Sequence, residues 1–259
     1  MKRKILIFVC IILIILVVGI IFLKNRFIEQ RIAILTYHGV VEEVKDSVDI
    51  SVDYFEKQMK WLYDNNYKTI TMDEFYKWKK GDIKLPLKTV MIVFDDGWRN
   101  NYLNALPILE KYDLNASIFV VWKYSKNSNG VDNPIYINDS DVEKIIEEYD
   151  NIELLSHSYN LHVRENADSN DYDVYDKDMK KVKSMGKNME YYAYPFGARN
   201  ENYIRALKDN GCKLAFTFGP YDFASRNDND YEIPRMGIFE DTSFNEFKIK
   251  LMIKSLLKI

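Results

Sequence analysis

From Ile32 to Phe239 the chain alternates short apolar, β-branched runs with amphipathic segments. Strand and helix taking turns in this way confines a chain to the α/β class with a largely parallel sheet. Seven runs read as strands, at 32–37, 89–94, 116–121, 152–155, 191–194, 213–218 and 235–239. Helix starts are expected at Asp53-x-x-Glu56, Thr71-x-x-Glu74 and Ser140-x-x-Glu143, each a cap oxygen followed three residues on by a glutamate. Gly81 and Gly211 read as helix stops. The loop 123–138, rich in Asn, Ser and Gly, and the polar stretch 164–173 interrupt the alternation without forming another domain. With 259 residues, 47% of them hydrophobic, the material suffices for one sizeable core. Seven strands rather than eight predict an incomplete or distorted barrel.

Ile5 to Leu23 are nineteen consecutive apolar or glycine residues, which as a helix reach roughly 28 Å and span a bilayer core. The run ends Val-Gly-Ile-Ile-Phe-Leu, with no small-residue cleavage site, so an uncleaved anchor is expected. The organisation expected is therefore a cytoplasmic 1–4, a transmembrane anchor 5–23, a juxtamembrane linker 24–31 and a globular domain 32–259. Lys2, Arg3 and Lys4 before the run are nearly balanced by Lys24 and Arg26 after it, so charge alone sets the orientation only weakly. Cys10 lies inside the anchor behind bulky Phe8 and Val9, which does not suit lipid attachment. Cys212 is the one cysteine of the globular part, so no disulfide forms within it, and a small buried residue is the expectation. A formal net charge of -3 argues against a nucleic-acid partner, which calls for a basic excess.

The reactive residues follow the ends of the expected strands: His38, Asp95 and Asp96, Trp122, His157, and Pro195 with Phe196. In a barrel of parallel strands those ends share one face, where active sites are built. Adjacent side chains such as those of Asp95 and Asp96 diverge, so they cannot share one proton or flank one glycosidic bond across about 5 to 9.5 Å. They need different tasks. His157 and His162, five apart in the loop expected after 152–155, can reach one ion. Together with one aspartate they make a two-histidine, one-carboxylate site with positions open for water and substrate. The other aspartate is then free to act as a base, an arrangement for metal-assisted hydrolysis of an amide or ester. The same ligand set serves non-haem iron oxygenases, but those sites sit in all-β barrels and this chain alternates strands with helices.

The strings TYHGV, VFDDGW, SHSYNLH and YPFG, in that order, resemble the polysaccharide deacetylases, carbohydrate esterase family four, also called the NodB-homology domain. The resemblance covers most of 32–239. It implies a distorted (β/α)7 barrel that hydrolyses N-acetyl or O-acetyl groups from sugar polymers with one divalent ion, usually zinc. Asp95 then resembles the catalytic base, and Asp96, His157 and His162 the metal ligands, with Ser158 at the Ser/Thr position between the histidines. Tyr194, Pro195, Phe196 and Gly197 resemble a motif that shapes one wall of the groove. The backbone N–H at Phe196 matches its oxyanion donor, a kind of group worth about 3 kcal/mol. Two departures stand out: Ala193 occupies the place of an arginine that orients the base, and no histidine follows His162 to act as general acid. The early Tyr-His pair resembles the poly-N-acetylglucosamine deacetylase branch, in which an N-terminal histidine fills that role, here His38. Arg235 is the candidate partner for Asp95. Trp98, Tyr102, Trp122, Tyr124, Phe218 and Tyr221 fall near strand ends as candidate sugar-stacking rings. The expectation is a membrane-anchored, extracytoplasmic, metal-dependent deacetylase acting on peptidoglycan or an exported N-acetylglucosamine polymer. The alternative is a non-catalytic glycan-binding domain of the same fold.

Overall fold

The computed structural model describes residues 13–16, 19, 30–126, 135–219 and 222–257. In chain order the strands are β1 (Ala33–Tyr37), β2 (Val40–Val41), β3 (Ile50–Ser51), β4 (Lys68–Thr69), β5 (Thr89–Phe94), β6 (Ala116–Val121), β7 (Ile152–Ser158), β8 (Tyr191–Ala193), β9 (Leu214–Phe216) and β10 (Met236–Gly237). The helices are α1 (Val52–Asp64), α2 (Met72–Lys80), α3 (Leu106–Lys111), α4 (Trp122–Lys126), α5 (Asp139–Glu148), α6 (Arg164–Ala167), α7 (Tyr172–Ser184), α8 (Glu201–Asp209) and α9 (Phe244–Leu257).

Seven strands run in the order β10-β1-β5-β6-β7-β8-β9, and β4 branches from β5. Every pairing in this sheet is parallel. The ring closes irregularly, through a parallel bridge between Phe216 of β9 and Ile233, just upstream of β10. The distorted seven-stranded barrel expected from the sequence is the fold observed.

Strand parity assigns each side chain to one of two layers. Ile34, Met91, Val93, Phe119, Leu155, Tyr191, Ala193, Leu214 and Phe216 fill the barrel interior. Their neighbours Leu35, Ile92, Phe94, Ile118, Val120, Tyr192 and Ala215 pack outward against the helices. Each fully buried large side chain contributes about 1.5–3 kcal/mol. Helix α2 plugs the end where the strands begin, adding Met72, Phe75 and Trp78 to the interior cluster. It starts on the expected Thr71/Glu74 capping box and stops at Gly81, whose φ of 90° is left-handed. At the opposite end the interior parity runs on through 36 and 38, through 95 and through 157, so His38, Asp95 and His157 follow the axis-facing residues.

Several boundaries differ from the sequence expectations. Helix α1 is preceded by Ser51 as N-cap, and Asp53 sits within its first turn. Helix α5 is capped by Asn138 with Asp141, two residues ahead of the expected Ser140 and Glu143. Strand β7 continues to Ser158, so His157 belongs to a strand and not to the loop after it. Trp122 is a core residue, buried with its indole N–H donating to Ser156 Oγ at 3.1 Å. Cys212 is buried, as expected, and burial pushes its thiol far above the usual range. The apolar run 5–23 lies outside the described residues apart from 13–16 and 19, and Tyr221 lies outside them entirely. Among the described residues no helix is long and apolar enough to cross a membrane.

Candidate active site

Beyond β5 the chain turns sharply at Asp96 (φ 72°) and Gly97 (φ 76°). A Cβ on Gly97 would come 3.1 Å from Val120 Cγ1, so the turn needs glycine both for its backbone angle and for its closeness to β6. This turn separates the two aspartates, as their adjacency suggested. Asp95 points into the barrel mouth, where Arg235 Nη1 and Nη2 donate to Oδ1 and Oδ2 at 2.7 and 2.8 Å. Arg235 is fully buried, with its Nε donating to Thr217 O at 2.8 Å and its guanidinium lying over the Phe119 ring. Burial alone would raise the Asp95 carboxyl. Arg235 and then His157 outweigh that and hold it below the usual carboxylate range.

Asp96 faces His157 and His162. Its Oδ1 lies 3.4 Å from His157 Nε2 and 3.0 Å from His162 Nε2. Among the described residues neither contact counts as a hydrogen bond, and Oδ1 is left buried with no hydrogen-bond partner. Its Oδ2 accepts from Trp98 Nε1 at 2.9 Å. His157 Nδ1 lies 2.8 Å from the Ala193 carbonyl, which can only accept, so Nδ1 carries a proton and Nε2 is the ring nitrogen turned to Asp96. One oxygen and two nitrogens thus converge, with one ligand atom from each of the three residues and all within 4.8 Å of one another. An orphaned buried carboxylate oxygen beside two imidazole nitrogens fits a divalent cation, and one oxygen with two nitrogens is a zinc-type set with room for further ligands. Burial would raise Asp96, but the two imidazoles hold it well below the usual range. Burial likewise opposes charge on His162, yet Asp96 lifts its pKa.

The turn carrying His162 is held from behind. Ser158, at φ 134°, accepts from Leu161 N–H through Oγ at 3.0 Å. Asp178 on α7 accepts from the Tyr159 and Asn160 N–H groups at 2.8 and 2.7 Å. The sequence reading did not find Asp178. The available signal was its place on the core-facing side of α7 among Tyr175, Met179 and Val182.

His38 follows β1 and packs edge-on to Phe218 at 5.4 Å and against Phe239 at 6.5 Å between ring centres. Its Nδ1 is buried without a hydrogen-bond partner among the described residues. Phe196, at φ 57°, stacks on His162 at 4.5 Å and lies under the Arg164 guanidinium at 4.4 Å. Tyr194 lines the cavity but donates its hydroxyl to the Tyr231 carbonyl at 3.1 Å, so it serves as a wall. Pro195 is buried in the turn Pro195–Gly197, behind the lining rather than on it. One cavity of about 330 Å³ brings together His38, Asp95, Asp96, His157, His162, Tyr194 and Phe196. Arg235 reaches it only through Asp95.

A parallel α/β barrel whose strand ends gather a carboxylate–histidine–histidine set and a second carboxylate defines a hydrolytic enzyme class, and comparison with known proteins agrees. The polysaccharide deacetylase family model matches residues 82–215, more than half of the 259. The chain belongs to the polysaccharide deacetylase family, and is a hydrolase acting on carbon–nitrogen bonds other than peptide bonds. It is 31% identical over 212 residues to the poly-beta-1,6-N-acetyl-D-glucosamine N-deacetylase of Staphylococcus epidermidis, covering 77% of this chain and 71% of that one. The protein of the same name from Staphylococcus aureus strain N315 is 29% identical over 243 residues, covering 84% and 82%. The solved structure of the Streptococcus pyogenes deacetylase PplD in complex with acetate superposes with a TM-score of 0.75 at 21% identity. It covers 86% of this chain and 99% of that one. These likenesses place the chain in the poly-N-acetylglucosamine deacetylase branch of the family. His38 and Arg235, the residues offered for the two departures from the common motifs, both lie outside the segment that the family model matches.

Proposed function

We propose that this protein removes acetyl groups from the amines of a poly-β-1,6-N-acetylglucosamine polymer, using a zinc ion held by Asp96, His157 and His162. The observation that carries this reading is the unbonded, buried Asp96 Oδ1 facing two Nε2 atoms, in one cavity with Asp95 and His38. The relatives' names favour the exopolysaccharide over peptidoglycan as substrate. When bound, the ion supplies Lewis-acid polarisation of the acetyl carbonyl and lowers the pKa of water beside it.

Asp95, kept ionised by Arg235, accepts the proton of the attacking water. The paired guanidinium also fixes the direction of the carboxylate, the task left open by Ala193. The N–H of Phe196 stands where the oxyanion develops, in a turn whose left-handed φ sets its direction. His38 gives a proton from Nε2 to the departing amine. Phe218 and Phe239 hold its ring in place of an orienting carboxylate. Arg235 and His38 fill the two roles whose absence would have favoured a non-catalytic glycan binder. The run 5–23 anchors the enzyme in the cell membrane with its barrel on the extracytoplasmic side, where such polymers lie.

The test is acetate release from β-1,6-linked N-acetylglucosamine oligomers and from peptidoglycan fragments, with metal analysis of the same sample. Release from the oligomers, lost on chelation and restored by zinc, is expected. Peptidoglycan turnover without oligomer turnover would overturn the substrate, and full activity of a metal-free sample would overturn the metal.

A further inference from the structure

Beside the catalytic cavity lies a second of about 350 Å³, lined by Val41, Val48, Trp98, Asn100 and Asp49 among others. Val48 lines both cavities, so the two adjoin. Trp98 stacks on Tyr136 with ring centres 4.8 Å apart and planes 18° apart, and Tyr136 packs in turn on Tyr124 at 4.7 Å. The Trp98 ring is thereby fixed as a wall of the second cavity. The same side chain makes the one hydrogen bond that the Asp96 carboxylate has among the described residues, from Nε1 to Oδ2 at 2.9 Å. Fixing Oδ2 leaves Oδ1 as the oxygen facing the two histidines.

We propose that the second cavity holds the sugar adjoining the one that loses its acetyl group, and that Trp98 is both the platform for that sugar and the positioning residue for Asp96. The inference rests on the deacetylase reading above and deepens it. An aromatic and aliphatic wall with a few acceptor groups suits a pyranose, which offers a C–H face to the ring and hydroxyl donors to Asp49 and Asn100. The Asn100 side chain lines this cavity, and among the described residues its Oδ1 has no hydrogen-bond partner. A linear polymer crossing Val48 would occupy both cavities at once. Asp96 would then be held by a residue that itself touches the substrate, so that substrate length and metal geometry meet at one side chain. Partners behind metal ligands of this kind are worth about 10- to 100-fold in metal affinity.

The experiment compares the full-length zinc-loaded protein with Trp98→Phe, which keeps a ring and loses the N–H, and with Trp98→Ala, which loses both. Zinc affinity, read by competition with a chromogenic chelator, should fall about 10- to 100-fold in both variants. The ratio of kcat/KM for a β-1,6-N-acetylglucosamine tetramer to that for a single methyl glycoside, measured at saturating zinc, should persist in Trp98→Phe. It should fall about ten-fold in Trp98→Ala, equivalent to about 1.4 kcal/mol. Should Trp98→Ala fail to fold, Ile135→Trp narrows the same cavity at another lining residue and should lower the ratio while leaving zinc affinity unchanged. Wild-type zinc affinity in Trp98→Phe would overturn the positioning role, and an undiminished ratio in Trp98→Ala or Ile135→Trp would overturn the sugar site. A wild-type protein that releases acetate from neither substrate would sink the deacetylase reading instead. One that turns over both without preference would sink only the second cavity.

Discussion

The two ends of the barrel are built by one strand alternation and finished in opposite ways. At the end where the strands begin, α2 closes the interior with Met72, Phe75 and Trp78, and the Glu153 and Lys79 side chains beside it find partners, while Arg226 Nε is buried with none among the described residues. The Glu153 carboxylate accepts from Met72 N–H at 2.9 Å and from Ser117 Oγ at 2.8 Å. The buried Lys79 donates to the carbonyls of Ser225, Arg226 and Asp228. At the other end Thr36 Oγ1, His38 Nδ1 and Asp96 Oδ1 are buried and unbonded among the described residues, and Asp96, Ser158 and Phe196 hold left-handed or otherwise positive φ angles. An unsatisfied buried group costs about 1–3 kcal/mol and a strained backbone position a similar amount. Of the three residues with an unbonded group, His38 and Asp96 are those with chemistry to perform in the proposed reaction.

That contrast predicts opposite responses to substitution. At the open end, Asp95→Asn should lower kcat by about 10²- to 10⁴-fold while zinc stays bound, checked by steady-state kinetics beside metal analysis. Loss of zinc from this variant would mean that the two aspartates have exchanged roles. His38→Ala should keep fold and metal and lose a similar factor on amide substrates, but far less on an activated ester whose leaving group departs without a proton. Equal losses on both substrates would make His38 a packing residue of the mouth. At the closed end, Trp78→Ala should cost about 3–5 kcal/mol in urea unfolding and leave kcat of the folded fraction unchanged. A fall in kcat there would break the division of labour between the two ends.

The closed end was the more legible in sequence where local chemistry decides it. Thr71 and Glu74 form the expected capping box because that motif is complete within four residues. Asp53-x-x-Glu56 carries the same pattern of a cap oxygen and a glutamate but misleads, because the chain is already helical from Val52. Strands β5 and β6 were read residue for residue, since their apolar runs stop where the chain turns. Strand β7 was read three residues short because Ser156, His157 and Ser158 look like a loop. In a barrel mouth, polar residues end the strands that carry the site. Two-residue strands such as β4 have no periodicity to detect. The two histidines were legible as a pair because they stand five apart, whereas Asp96 was assigned as the third ligand through the family resemblance and Arg235 was named as the candidate partner for Asp95. Asp178 was not visible, because its partners Tyr159 and Asn160 lie 19 and 18 residues away on another element and only the fold brings them together.

Asp178 sharpens the comparison, because it stands behind the open end yet is fully bonded in the manner of the closed one. Burial, the dominant influence, pushes its carboxyl from 3.8 up to about 6, against the lowering effect of the two N–H groups. A folded-state pKa raised above the unfolded value means that the folded protein holds the proton more tightly. The stability that follows is fully present below the unfolded value and is lost as pH rises through the folded one. From pH 5 to pH 8 roughly one pH unit of that window is crossed, about 1.4 kcal/mol. Asp178→Asn does not titrate, and its amide oxygen still accepts from one of the two N–H groups. Urea unfolding of both proteins in chelator, so that proton release on metal binding does not enter, should show the wild type losing about 1–1.5 kcal/mol more than the variant over that interval. A constant gap between the two proteins would mean that the two N–H groups fully offset burial at Asp178, unlike Glu153 at the other end, whose carboxyl burial raises despite its two hydrogen bonds.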